Sequence, residues 1–240
     1  MEKKYGLMGY PVAHSKSPEL FRAAYKGKYA YELLEEPDFD RAWGRFLDGY
    51  AAVNVTAPHK SEAFRRADKH SEACNILEAA NVLVKHENGI VEAHNTDWMA
   101  VRDILAERSP IGPILVVGAG GAGRAATLGA LNHGSEVFLA NRTVAKAEDF
   151  SKRLTLFNKE WNVHPCTLEE IGDALEYCGA MIWCIPGALP LNAEDLDDTL
   201  VIEANYRNPV LAGAKNYVGG LEWLQAQARA CFPIMTGSQF

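Results

Sequence analysis

A glycine-rich turn set between two apolar runs limits what this chain can fold into more than any other stretch. Ile114–Val117 ends in Gly118-Ala119-Gly120-Gly121-Ala122-Gly123. A helical pattern follows, and a second apolar run, Val137–Ala140, ends in Asn141-Arg142-Thr143. Strand, turn, helix and strand in that order are the context that a dinucleotide fingerprint needs. Gly118 allows the tight turn, Gly120 lets the backbone approach a pyrophosphate, and Gly123 lets helix and strand pack closely. The amides that open the helix, together with its dipole, would hold the anionic pyrophosphate. NAD sites carry Asp or Glu at the end of the second strand, where it accepts hydrogen bonds from the ribose hydroxyls. This chain has Asn141, Arg142 and Thr143 there, with Lys146 one turn further on. Arg142 and Lys146 are either a solvated basic pair at a helix start or the partners of a 2′-phosphate, which a carboxylate would repel. The second reading makes the cofactor NADP.

The stretch before this turn is long enough for a core of its own, so the 240 residues allow two domains. Hydrophobic content of 48% and charged content of 23% are those of an ordinary globular protein. A formal charge of −7 argues against a general binder of nucleic acid or membrane surfaces, so any basic feature must be local. The opening Met1-Glu2-Lys3-Lys4-Tyr5 leads into Gly6 rather than an apolar signal segment, and no run is long enough to span a bilayer. The five cysteines (Cys74, Cys166, Cys178, Cys184, Cys231) are odd in number, with no CxxC pair. Reduced thiols in a cytoplasmic protein are the expectation. No His/Cys/Asp cluster suggests a metal.

In chain order, Tyr5–Met8 reads as a strand that leads to His14-Ser15-Lys16-Ser17-Pro18. Ser17 ahead of Pro18 and Glu19 is an N-cap signal. The hydroxyls of Ser15 and Ser17 beside helix-start amides would also suit a small carboxylate. Tyr29–Leu34 is a second strand, Phe39–Leu47 a helix, and Ala51–Val55 a buried strand stopped by Pro58. That stop places Thr56 and Lys60 at a strand end, where α/β sheets present ligand residues, although a lone lysine there is usually just solvated. A basic-faced helix covers Ser61–Lys69. Ala79–Val84 and Ile90–Ala93 form a hairpin around Asn88-Gly89, with Asn81 in its first arm. Asp97 precedes a helix, Trp98–Ala106, as its N-cap would. Ser109–Pro113 then breaks the chain as a domain junction would. Beyond the fingerprint, helices are expected at Val144–Leu154, Leu168–Tyr177 and Gly220–Cys231. Strands are expected at Trp161–Cys166, Ala180–Ile185 and Leu200–Ala204. This alternation predicts parallel α/β layers in both halves.

Taken together, these stretches resemble the shikimate dehydrogenase family across nearly the whole chain. The resemblance rests on His14-Ser15-Lys16-Ser17-Pro18, Asn54-Val55-Thr56-Ala57-Pro58-His59-Lys60, Ala80-Asn81 and Asn95-Thr96-Asp97. The glycine turn, Asn141-Arg142-Thr143, Tyr206 and Gln227 complete it. It implies an α/β fold in two domains. Residues 1–98 would be the substrate domain and 99–214 a Rossmann-like, doubly wound NADP domain. A C-terminal helix, about 215–240, would return to the first domain.

The implied activity is the NADP(H)-dependent interconversion of shikimate and 3-dehydroshikimate in aromatic amino-acid biosynthesis, by a cytoplasmic monomer or homodimer. By the same resemblance Ser15 and Ser17 hold the substrate carboxylate, and Thr56, Asn81, Tyr206 and Gln227 orient the ring. Lys60 and Asp97 form the catalytic pair. The chain departs from the family pattern at Val82 after Asn81, at Trp98-Met99 after Asp97, and at Glu203 for an Asp. It departs again at Ile182-Trp183-Cys184-Ile185-Pro186-Gly187, where an Asn-Ala-Thr-Ser type of stretch is usual. Three rival readings stand beside this one: a quinate or similar hydroxy-acid dehydrogenase, a catalytically weak NADP or metabolite binder, and a methyltransferase.

Overall fold

Two sheets organise the chain, which the computed structural model describes over residues 3–187, 191 and 196–239. The first is built from β1 (Lys4–Gly9), β2 (Ala30–Glu35), β3 (Ala52–Val55), β4 (Lys69–His70), β5 (Val82–Lys85) and β6 (Val91–His94), in the order β2-β1-β3-β5-β6-β4. β1 is parallel to both β2 and β3, and the β5–β6 hairpin joins β3 antiparallel. Between these strands lie α1 (Ser17–Ala24), α2 (Phe39–Gly49), α3 (Lys60–Arg66) and α4 (Glu72–Leu77).

The period-2 alternation of the strands sends side chains to two separate cores. Met8, Val53, Val55 and Leu83 pack with Trp43 and Phe46 of α2. Tyr5, Ala52 and Val82 pack with Phe21 of α1 and with Cys231 and Phe232 near the C-terminus. Burying side chains of this size contributes roughly 1.5–3 kcal/mol each. Both faces of the sheet are therefore covered, which leaves the strand ends as the places where polar side chains collect.

The second sheet is wholly parallel. Its strands are β7 (Ile114–Val117), β8 (Val137–Ala140), β9 (Val163–Cys166), β10 (Ala180–Trp183), β11 (Leu200–Glu203) and β12 (Asn216–Val218), in the order β12-β11-β10-β7-β8-β9. Around it run α5 (Asp97–Arg108), α6 (Gly121–His133), α7 (Val144–Phe157) and α8 (Ile171–Leu175), while the later part of α9 (Gly220–Thr236) packs on the first sheet. Every residue of β7 is fully buried, as in a doubly wound sheet covered on both faces. The strand order reverses between β7 and β10, so the glycine turn that leaves β7 lies at the topological switch point, where such sheets bind ligands.

The chain divides into two compact units: one runs up to Thr96 and resumes at Gln227, and the other is Asp97–Ala226. Ser109–Pro113 ends α5 but does not separate the units. α5 belongs to the second, where the Trp98 carbonyl and Val101 stand so close to Gly129 of α6 that a Cβ there would meet them at 2.5 and 2.8 Å. The helix expected at Ser61–Lys69 stops at Arg66, because Asp68 turns to cap the neighbouring strand and accepts from the Val91 amide at 2.8 Å. Lys69 then lies in β4. Three short elements with weak periodicity, β4, α4 and β12, were not expected from the sequence.

Candidate active site

Topology brings five of the expected residues to one end of the first sheet. β1, β3 and β6 run in the same direction and β5 runs against them, so the loops after β1, β3 and β6 and the segment entering β5 share an edge. Backbone bonds tie these segments together. Thr56 N–H donates to Met8 O (2.9 Å), Val55 N–H to Asn81 O (2.8 Å), and Asn81 N–H to His94 O (2.9 Å). Ser15 and Ser17 come from the first loop, Thr56 and Lys60 from the second, and Asn81 from the entry to β5. Lys60 is the first residue of α3, and its carbonyl accepts from Ala80 N–H at 2.9 Å.

Asn81 is buried, and its side chain grips the next loop. Its Oδ1 accepts from Thr96 N–H (2.8 Å) and its Nδ2 donates to Thr96 Oγ1 (3.0 Å). Asn95 does the same for the segment entering β5, donating to Ala79 O at 2.9 Å. These bonds fix the chain up to Asp97, which is buried. Asp97 is the first residue of α5 rather than its cap, a one-residue difference at a helix boundary.

The serine pair differs from the expectation. Lys16 occupies the N-cap position of α1, with no side-chain cap bond, and Ser17 is already helical. Ser15 does the capping: its Oγ accepts from Ser17 N–H at 3.2 Å and donates to Ser17 Oγ at 3.1 Å. The proline that follows permits this, because an α1 that starts at Ser17 needs no amide from Pro18.

In the second unit, Gly118 has φ +107°, and a Cβ there would stand 2.6 Å from Ile185 Cγ2. A Cβ on Gly123 would overlap the Gly118 carbonyl oxygen, so turn and helix close on each other only with glycine at both ends. Gly120 and Gly121 are different. Both are exposed, and no heavy atom lies within 4 Å of the place where a Cβ would stand. Ala122, beside them, is also exposed. This open ground lies over the first amides of α6, where a helix start has room for an anion. Asn141 supports the turn from β8: its Oδ1 accepts from Ala119 N–H (3.0 Å), and its Nδ2 donates to Thr143 O (2.8 Å). Thr143 is the N-cap of α7, without a side-chain cap bond. Arg142 and Lys146 are exposed, with no ion pair among the described residues. The residues present fit a dinucleotide with a 2′-phosphate. Arg124, absent from the sequence reading, braces the turn by donating to Ala119 O (3.3 Å) while its guanidinium lies 5.2 Å over the Phe150 ring.

Tyr206 sits in a loop of the second unit and is 36% exposed. Glu203, fully buried at the end of β11, holds this loop's far side. Its carboxyl accepts from Val210 N–H (2.8 Å), Leu211 N–H (3.1 Å) and the Tyr217 hydroxyl (2.9 Å). Asn205 folds the near side, accepting from Arg207 N–H (3.0 Å) and Asn208 N–H (3.3 Å). Gln227, half-buried, opens the segment of α9 that belongs to the first unit. Among the described residues no group of three or more His, Cys, Asp or Glu side chains could hold a metal ion. None of their helices is long and apolar enough to cross a membrane.

A shikimate dehydrogenase (NADP(+)) of Methanocella arvoryzae is 34% identical to this chain over 258 residues, an alignment that covers 97% of the chain and 93% of that enzyme. The chain belongs to the shikimate dehydrogenase family. The profile of the shikimate dehydrogenase substrate binding domain matches residues 7–83, the part of the first sheet that carries the serine and lysine segments. A second shikimate dehydrogenase (NADP(+)), from Pasteurella multocida strain Pm70, is 36% identical over 165 residues. That alignment covers 65% of this chain and 61% of the relative, less than two thirds of its length. Among solved structures, shikimate 5-dehydrogenase of Thermus thermophilus, in complex with NADP(H) and shikimate, superposes with a TM-score of 0.83 at 27% identity. The match covers 99% of this chain and 94% of that one.

In this shikimate dehydrogenase family member an apolar stretch borders the glycine turn. Cys184 N–H donates to Val117 O at 2.9 Å, which sets the 183–187 stretch beside the turn. Trp183 is buried in the core of the second unit, and its Nε1 has no partner among the described residues. Burial also pushes the Cys184 thiol far above the ordinary cysteine range.

Proposed function

We propose that this chain is an NADP-dependent shikimate dehydrogenase acting in aromatic amino-acid biosynthesis, with shikimate and 3-dehydroshikimate as its small-molecule substrate pair. The observation that carries this reading is the gathering of Ser15, Ser17, Thr56, Lys60 and Asn81 at one end of the first sheet. Oxidation of a secondary alcohol removes a hydride from carbon and a proton from oxygen. Bound NADP, held by residues 118–123, Asn141, Arg142, Thr143 and Lys146, would supply the hydride acceptor. The protein's work is the proton and the orientation. Ser15 and Ser17 hold the substrate carboxylate, while Thr56, Asn81, Tyr206 and Gln227 fix the ring and its hydroxyls. Lys60 takes the hydroxyl proton as the carbonyl forms and returns it in the reverse direction, and the Asp97 carboxylate directs it. We place the enzyme in the cytoplasm as a monomer or homodimer, with no nucleic-acid partner.

The test is the appearance of NADPH absorbance at 340 nm, with shikimate and quinate each offered together with NADP and NAD. Turnover fastest with shikimate and NADP supports the reading. The stretch 183–187, which meets the glycine turn at Cys184 and Ile185, favours one second reading, a weak catalyst that binds NADP. Binding of NADP without turnover of either acid would establish that reading in its place.

A further inference from the structure

His59 is the one buried side chain in the turn that presents Lys60. In Thr56-Ala57-Pro58-His59-Lys60 the alanine and proline are exposed and Thr56 and Lys60 are half-buried, whereas His59 is 2% exposed. Its Nε2 lies 2.7 Å from the Glu36 carbonyl oxygen. A carbonyl oxygen only accepts, so Nε2 carries the hydrogen and the imidazole donates. The ring also packs beside Phe39, with 5.6 Å between centroids. His59 stands in the N-cap position of α3 but makes no side-chain cap bond there. Its imidazole reaches instead to the segment between β2 and α2. That segment is tied to the same end of the sheet, with Glu36 N–H donating to Gly9 O (3.3 Å), and Tyr10 N–H donates to Ala57 O (3.1 Å).

We propose that His59 is a positioning residue for Lys60: by holding the Glu36 carbonyl it fixes the start of α3, from which the lysine side chain springs. Lys60 is the first residue of that helix, and its own carbonyl accepts from Ala80 N–H at 2.9 Å. In the order β2-β1-β3-β5, β2 and β5 lie on opposite sides of β3. The turn after β3 is therefore tied from both sides, through the backbone toward β5 and through the imidazole toward β2. A buried imidazole costs desolvation that a phenyl ring beside Phe39 would not, and the bond to Glu36 offsets it. The exposed pair of Arg66 with Asp40 (3.0 Å) also joins α3 to α2, but at the far end of the helix and under solvent screening. The position of the lysine's end therefore depends on His59. Proton transfer needs the amine within hydrogen-bond reach of the reacting hydroxyl, so a displaced helix start acts on the rate. This inference rests on the proposed role of Lys60 in proton transfer.

The experiment is the His59→Phe variant, which keeps a ring beside Phe39 and removes the donor, assayed for NADPH formation from shikimate. kcat should fall about tenfold to a hundredfold. KM should stay within about twofold, because Ser15, Ser17 and Asn81 lie on other segments. His59→Gln, whose amide nitrogen ends the same number of bonds from the backbone as Nε2, should recover kcat to within about threefold of wild type. In a Lys60→Met background His59→Phe should cost less than about a further twofold, since no amine is left to position. A role in folding alone would lower activity by the same factor in both backgrounds. Wild-type kcat in folded His59→Phe, a glutamine no better than phenylalanine, or an equal loss in the two backgrounds would each overturn the inference. If His59→Phe does not fold, His59→Asn takes its place. Its amide ends one bond short of the reach of Nε2, so the same fall in kcat is expected, and a wild-type kcat would overturn the inference. A Lys60→Met enzyme with wild-type activity would instead refute the lysine's role, and this inference with it.

Discussion

Ser15 Oγ accepts a hydrogen bond from the Ser17 amide and donates one to Ser17 Oγ, so the first turn of α1 depends on a residue outside the helix. Ser15→Ala therefore removes both a backbone partner and one of the two hydroxyls proposed to meet the carboxylate. We expect a stability loss of about 0.5–1.5 kcal/mol together with a higher KM for shikimate. Thermal melts paired with initial rates would separate the two effects, and a changed melt with an unchanged KM would leave Ser15 with the cap alone. The sequence pattern pointed to the right segment but the wrong serine, because Ser-Pro reads as a cap and a Ser-x-Ser bond has no periodic signature. At the glycine turn, by contrast, Gly118 and Gly123 were legible, since both answer to backbone geometry alone. Arg142 belongs to the same scale. Exposed and without an ion pair among the described residues, it has little to do for the fold. Arg142→Ala should weaken NADP roughly tenfold to a hundredfold while leaving NAD nearly unchanged, measured by cofactor titration. An equal loss for both cofactors would assign the residue to the fold.

Among the elements, β11 shows how one buried carboxylate closes a loop. Glu203 reaches one methylene further than Asp and satisfies two loop amides and the Tyr217 phenol. That contact raises the Tyr217 pKa, after burial, the larger cause. Glu203→Gln would turn an NH2 group toward donors and leave one buried amide unsatisfied, at about 1–3 kcal/mol. Each kcal/mol lowers Tm by about 2–4 °C at this size, so calorimetry should show a clear drop. A melt unchanged within a degree would mean the loop closes without the carboxyl. Long, strongly patterned elements such as β7, α6 and β8 were legible in the sequence. α4 and β12 were not: each is short, and partners far along the chain make it regular. α9 runs on from Cys231 to Thr236, past the end the pattern suggested, and takes Pro233 within the helix.

At the scale of the whole molecule, one chain carries two sheets with different tasks, and the division between them falls at Thr96–Asp97 and again within α9. The break at Ser109–Pro113 misled because helix breakers mark where an element ends, whereas a unit ends where side chains stop packing. The gathering of Ser15, Ser17, Thr56, Lys60 and Asn81 near strand ends was legible from residue types and strand stops. Its supporting bonds, from His59 to Glu36 and from Asn81 to Thr96, were not, since they join residues distant in sequence. The role proposed for this end of the first sheet is proton transfer during NADP-dependent oxidation, with Lys60 as the group that moves the proton. The most direct measurement is the rate of NADPH formation from shikimate by folded wild-type and Lys60→Met enzymes at saturating substrate. Methionine keeps most of the stem and removes the amine. A fall in kcat of about 10²–10⁴ is predicted, and a Lys60→Met enzyme within about threefold of wild type would contradict the account.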